Sequence, residues 1–154
     1  MDALNQATTP ELSHVRERRR RLRNVALQLE EALALAAGRQ SEWRDTVATA
    51  LAQLQDTLDD HIAGTEGSGG LFAQIRDDEP RLESRVAKLH EEHESLKGEV
   101  AELLARLRGD VPDVNDVAEI REAALLLLGL VVRHRQRGSD LLYEAYSVDV
   151  SAGD

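Results

Sequence analysis

The chain contains no cysteine, three prolines and only 3% aromatic residues. The absence of cysteine excludes disulfides, thiolate metal ligands and a cysteine nucleophile, so any bound metal must be held by nitrogen and oxygen atoms. The scarcity of aromatic side chains leaves little with which to pack a sheet, whereas alanine, leucine, glutamate and arginine predominate, as is typical of helices. We therefore predict an all-α fold.

The sequence also lacks a long apolar run and a basic surplus. The run AALLLLGLVV at 123–132 is about half as long as the roughly 18 residues of a spanning helix, and it predicts a central helix buried on several sides. The N-terminal segment has neither the basic nor the apolar region of a signal peptide. A formal net charge of −10 repels polyanions. These features predict a cytoplasmic protein that binds neither nucleic acid nor membrane, and they leave its oligomeric state open.

One basic segment stands out against this acidic background. The run RERRRRLR at 16–23 contains no aromatic residue, whereas nucleic-acid contacts of this kind combine basic and aromatic side chains. It therefore predicts a solvated helix face.

The breaks in the sequence divide the chain into four long helices. At 154 residues the chain has the length of a single domain. Thr9 and Pro10 form a start signal and Gly38 a stop signal. The predicted helices cover about 10–37, 41–66, 80–108 and 116–146, a short turn occupies LFAQIRD, and a polar tail covers 147–154. Long helices with short connections predict an up-down-up-down bundle.

Each predicted inward face carries one histidine. Inward positions recur at alternating spacings of three and four, and on the second, third and fourth helices this pattern is aliphatic except at His61, His93 and His134. On the first helix, His14 lies eleven residues before Val25, about 20° away on a helical wheel. The sequence thus predicts four inward histidines. Along the bundle axis, the histidines of the first and second helices differ in height by about 6 Å, and those of the third and fourth by about 5 Å.

A buried histidine has two interpretations. A single one is more often a core residue that is simply hydrogen-bonded. Four converging rings need partners for both nitrogens of each imidazole, and a shared cation satisfies one nitrogen of every ring at once. We therefore predict a metal site.

Three segments resemble the hemerythrin family, including the bacterial HHE cation-binding domains. They are LDDHIAGTEGSGGLFAQI at 58–75, PRLESRVAKLHEEHESL at 80–96 and VVRHRQRGSDLLYEAY at 131–146. The resemblance covers nearly the whole chain. It implies a four-helix bundle with a non-haem di-iron centre, held by histidines and two bridging carboxylates, that binds oxygen or related small molecules. The ligands that it implies here are His14, His61, Glu66, His93 and His134.

The second helix departs from the pattern of that family. An acid four residues after His61 would share its face, but that position is Thr65, and Glu66 lies about 140° round an ideal helix. Glu66 reaches the site only if Gly64 and the following GSGG segment unwind the turn, which glycine permits.

The third and fourth helices depart as well. Leu89 stands where another histidine is expected, so that His90 is a weaker candidate ligand. Gly138 and Ser139 stand where an acid is expected, and Asp140 is a weaker candidate turned away from the site. Two ions need bridging oxygens to offset their repulsion, so one or two iron ions remain open.

We expect a hemerythrin-like protein with non-haem iron, with a di-iron site favoured over a single ion, that binds or senses oxygen, nitric oxide or peroxide. It is expected to act by binding rather than as an enzyme, with peroxide consumption at most a side activity. The alternative is a metal-free helical scaffold or interaction module with a degenerate site. A di-iron oxidase is disfavoured because such bundles use more carboxylates, often in Glu-x-x-His pairs.

Overall fold

Four long helices make up most of the chain in the computed structural model, which describes residues 12–35, 40–109 and 115–148. They are α1 (Leu12–Ala34), α2 (Gln40–Glu66), α4 (Glu83–Arg108) and α5 (Asn115–Tyr146). A short helix α3 (Leu71–Asp78) and a 3-10 turn (Pro80–Leu82) connect α2 to α4. No strand occurs within these three described ranges.

The long helices pack in a ring, with α1 against α2, α2 against α4, α4 against α5 and α5 against α1. The all-α fold and the four-helix bundle are thereby confirmed. The segment LFAQIRD differs from the predicted turn because it forms α3, in which Phe72 and Ile75 are buried. Thr9, Pro10 and Gly38 lie outside the described residues.

The core consists of two apolar clusters. The larger one fills the half of the bundle that contains Leu29, Leu51, Val100 and Ile120. The smaller one lies at the other end, where α3 covers it, and its members are Val15, Phe72, Ile75, Leu82, Val86, Leu89, Leu141 and Leu142. Along α4 and α5 the two clusters are separated at His93 and His134, which are buried. A polar layer therefore crosses the bundle between them.

The inward face of α1 differs from the predicted one. Val15, Arg19 and Leu22 are buried, whereas the side chain of His14 is exposed and Val25 is half-buried. His14 directly precedes Val15, and consecutive residues point about 100° apart on a helix. The arginine run is correspondingly not a wholly solvated face, since Arg19 is only 5% exposed. On α1, Arg19 is the residue that lies between the two clusters.

The apolar run on α5 is buried on one side only. Ala124, Leu127 and Val131 belong to the larger cluster, while Leu125, Leu126, Leu130 and Val132 are exposed by 37–66%. The prediction of burial on several sides was therefore wrong for these four of the ten residues in the run. Across 12–35, 40–109 and 115–148, no helix has both the length and the apolarity needed to cross a membrane.

Candidate metal centre

Three histidines converge in the polar layer. His61 comes from α2, His93 from α4 and His134 from α5, and one ring nitrogen of each lies within 4.8 Å of the others. The Nε2 atoms of His61 and His134 are 3.4 Å apart. The rings meet edge to face, with centroids separated by 4.6–5.5 Å. This spacing allows one ligand atom from each helix to reach a common point.

The ring nitrogens in this group lack the partners that burial normally requires. His93 has no exposed surface, and within the described residues neither its Nε2 nor Nδ1 of His61 forms a hydrogen bond. The partner of Nδ1 of His93 is the carboxylate of Glu66, at 3.3 Å. A buried polar atom without a partner costs about 1–3 kcal/mol. A cation would satisfy one nitrogen of each ring, so the orphaned nitrogen of His93 fits a metal ligand set.

The imidazoles are held in the neutral form that binds metals. Burial lowers the pKa of His61 well below its ordinary value of 6.5, and the neighbouring imidazoles and Arg19 lower it further. Burial also lowers the pKa of His93 to about 4, against the opposing effect of Glu66. The pKa of His134 is lowered by burial, although Glu92 raises it in part. At neutral pH the three rings therefore offer lone pairs.

Glu92 fixes the orientation of His134. Its Oε1 lies 3.1 Å from Nδ1 of His134, and its other oxygen pairs with Arg137. A carboxylate on Nδ1 places the ring proton there and leaves Nε2, which faces His61, as the electron-pair donor. The sequence analysis did not identify Glu92. The only signal for it was its place in HEEHE, next to His93 on α4.

Glu66 is the last residue of α2 and lies beside α4. Its carboxylate is 3.3 Å from Nδ1 of His93 and contacts His90 more closely. Burial alone would raise the pKa of Glu66, but its interactions with His90 and His93 outweigh that effect and lower it. Thr65, four residues after His61, is buried and donates a hydrogen bond from its hydroxyl to the carbonyl oxygen of His61 at 3.0 Å.

The remaining predicted ligands lie outside the histidine group. His14 and His90 are exposed, and the structure does not bring either of them to the other three rings. Asp140 is also exposed and accepts a hydrogen bond from Nε2 of Gln136 at 3.0 Å.

A cavity of about 30 Å³ adjoins the three histidines. A water molecule needs about 10–15 Å³ of such space, so the cavity suits an occupant of a few non-hydrogen atoms. Phe72 of α3 stacks on His93 with a centroid distance of 5.4 Å and an angle of 11° between the rings. Leu89, Leu141 and Leu142 complete much of the apolar wall. Phe72 was not anticipated as a site residue because the turn predicted at LFAQIRD would not have packed it here.

The donor set fits one cation. Ligand nitrogens at about 2.0–2.1 Å from a tetrahedral ion are separated by about 3.3–3.4 Å, and the Nε2 atoms of His61 and His134 are 3.4 Å apart. A single ion held by these three neutral imidazoles would keep a coordination position free for a small molecule. Two ions would need bridging carboxylates, and Glu66 and Glu92 instead contact the Nδ1 atoms of His93 and His134.

Comparison with known proteins identifies one family. The family model described as the hemerythrin HHE cation-binding domain matches residues 12–146, which is most of the chain. The resemblance seen in the sequence is thereby confirmed. Neither the curated proteins nor the solved structures give a match.

Proposed function

We propose that this chain, which belongs to the hemerythrin HHE cation-binding family, binds one non-haem iron ion through His61, His93 and His134. The observation that carries this proposal is the convergence of three ring nitrogens within 4.8 Å in a layer where buried imidazole nitrogens lack hydrogen bonds. Family membership supports a cation, and the nitrogen donors suit iron.

The proposed role is to bind or sense a small molecule such as oxygen, nitric oxide or peroxide. A bound iron ion would supply an open coordination position and one-electron chemistry. The cavity of about 30 Å³ beside the rings supports an occupant of a few atoms. The protein's own residues bind the ion, hold His134 in one tautomer through Glu92, and exclude bulk water with Phe72 and the leucines around it.

The second candidate is a metal-free bundle with a degenerate site. Arg19 favours it, because its buried guanidinium acts on His61 and His134 with a positive charge that would repel a cation. In that case the three imidazoles would be core residues, and the protein would act through its surface.

Iron content separates the two candidates. Protein produced with iron in the medium should retain about one iron per chain, measured by elemental analysis with an optical spectrum before and after exposure to air. His93→Leu should abolish retention, because it removes the ligand at the centre of the buried layer. The matched control is His14→Leu on exposed α1 surface, which should retain iron. No iron in the parent protein would refute the proposal, and two ions would refute the mononuclear form.

A further inference from the structure

The outer side of α5 carries an exposed apolar stripe. Leu125 is 52% exposed and Val132 is 58% exposed, and Gly129 lies between them at spacings of four and three, so that all three residues follow one line along the helix. A Cβ atom at Gly129 would meet no atom of the described residues within 4 Å. Glycine weakens a helix, and packing within the chain does not account for it here. Exposed apolar surface of this kind is typical of a contact between proteins.

The neighbouring helix α1 widens this stripe. Arg19 donates a hydrogen bond to the carbonyl oxygen of Arg135, and Arg121 donates one to the carbonyl oxygen of Leu33, so α1 and α5 lie side by side and run in opposite directions. Leu27 is 42% exposed and lies about 80° from Arg19 on a helical wheel, on the flank of α1 next to α5. It is halfway between the two contacts and therefore level with the middle of the α5 stripe.

Charges of opposite sign stand at the two ends of the apolar centre. Glu122 precedes the stripe on α5 and Arg133 follows it. Because α1 runs in the opposite direction, its Arg23 lies at the basic end and its Glu30 towards the acidic end. Among the described residues, none of these four side chains has a hydrogen bond or an ion pair. We call this surface the α1–α5 face, and its residues are Arg23, Leu27, Glu30, Glu122, Leu125, Gly129, Val132 and Arg133.

We propose that the α1–α5 face binds the same face of a second copy of this chain, in a dimer whose two-fold axis lies across the helices. This rotation packs α5 on α5 in opposite directions. Glu122 then meets Arg133 of the partner subunit, and on α1 Arg23 meets Glu30 of the partner subunit. Each pair occurs twice by symmetry. The leucines and Val132 are buried between the charged ends, where the small Gly129 lets the two helices approach closely.

The charges select this axis over the other two-fold arrangement of the same faces. An axis along the helices would pack α1 on α5 of the partner subunit without reversing their levels. Arg23 would then face Arg133 of the partner subunit, and like charges across an interface are repulsive. The charge pattern is therefore complementary to itself in one orientation. This inference does not depend on the metal site.

The test is sedimentation equilibrium of the full chain with paired charge reversals. Glu122→Arg and Arg133→Glu each place like charges opposite one another at two symmetry-related positions, so each should weaken the dimer about 10- to 100-fold. An equimolar mixture of the two variants should recover the dimer, because the two opposite reversals then face each other. Asp56→Arg, on the exposed surface of α2, is the matched control and should dimerise like the parent protein.

The mixture distinguishes a specific pairing from general damage to the surface. Failure of the mixture to recover the dimer would overturn the proposed orientation, and single variants that dimerise like the parent protein would overturn the proposed face. Should either variant fold poorly by far-UV circular dichroism, Arg23→Glu and Glu30→Arg give the same test on α1. A parent protein that stays monomeric up to about 100 μM would overturn the proposal, and its binding to phosphatidylcholine vesicles would assign the apolar centre to a membrane surface instead.

Discussion

Replacing His93 with leucine should change stability in opposite directions with and without metal. The His93 side chain has no exposed surface and stacks on Phe72. Its Nε2 has no hydrogen bond among the described residues, and its Nδ1 lies 3.3 Å from the carboxylate of Glu66. Leucine has a similar volume, so the substitution removes buried polar atoms without leaving a large cavity. In the metal-free protein, His93→Leu should therefore stabilise the bundle.

The expected size of each effect follows from the same contacts. Removing a buried, unsatisfied polar group is worth about 1–3 kcal/mol, or about 2–12 °C in Tm for a chain of this size. A metal at 1,000 times its Kd would stabilise the parent protein by about 4 kcal/mol, and the variant, which lacks one of three ligands, by much less. The order of stability should thus reverse on adding metal.

Urea denaturation followed by far-UV circular dichroism measures both arms, one with a chelator and one with iron(II) under anaerobic conditions. His14→Leu serves as the control, since an exposed substitution on α1 should stay within about 0.5 kcal/mol in either arm. Destabilisation of the metal-free protein by His93→Leu would refute the account of unsatisfied nitrogens. An equal gain from metal in parent and variant would show that His93 is not a ligand.

Three further predictions concern pH, metal affinity and the core. The pKa of His93 falls from 6.5 to about 4 on folding, so between these pH values the unfolded chain binds a proton that the folded chain does not. The metal-free protein should therefore lose about 3 kcal/mol of stability as the pH falls from 6.5 to 4. Urea denaturation at several pH values measures this loss, and a flat profile would contradict it. Glu92→Gln should weaken metal binding about 10- to 100-fold in a competitive chelator titration, because the variant lacks the carboxylate that orients His134. Unchanged affinity would show that Glu92 does not support the site. Leu54 has no exposed surface, so Leu54→Ala should lower the free energy of unfolding by about 2–5 kcal/mol in urea denaturation. The iron content per chain should stay the same. Loss of iron in the folded variant would mean that the larger cluster and the site are coupled.

The sequence was sufficient to predict the bundle and most of the polar layer. The apolar inward positions of α2, α4 and α5 repeat at spacings of three and four. A histidine that occupies one of these positions is expected to point inward. The structure accordingly brings His61, His93 and His134 together. Their role as metal ligands stays a prediction.

The contribution of α1 to the layer was the part that the sequence did not reveal. The inward residue is Arg19, not His14, because the buried face of α1 runs through Val15, Leu22 and Leu29. Arginine in a run of arginines resembles a solvated face, and its burial depends on Ser139, which is 120 residues away in the chain. A pairing of this kind is set by tertiary packing, so local periodicity carries no signal for it.

Phe72 and Glu92 were missed for related reasons. Phe72 reaches His93 because 71–78 forms a helix and not a turn, and a segment this short has a weak periodic signal. Glu92 faces α5 from a position beside His93, where it contacts His134. Neighbouring residues on a helix point about 100° apart, so which partner helix each of them faces depends on the rotation of α4.

The separation of the two apolar clusters has a consequence for how this protein can change over time. The larger cluster contains Leu29, Leu51, Val100 and Ile120 but none of the three histidines. Most of the stabilising burial is therefore independent of whichever side chains occupy the polar layer. Substitutions in that layer can alter or abolish ligand chemistry while the bundle still folds. Such a chain is suited to the evolution of new binding specificities, and to their installation by design, without a simultaneous rebuilding of the core.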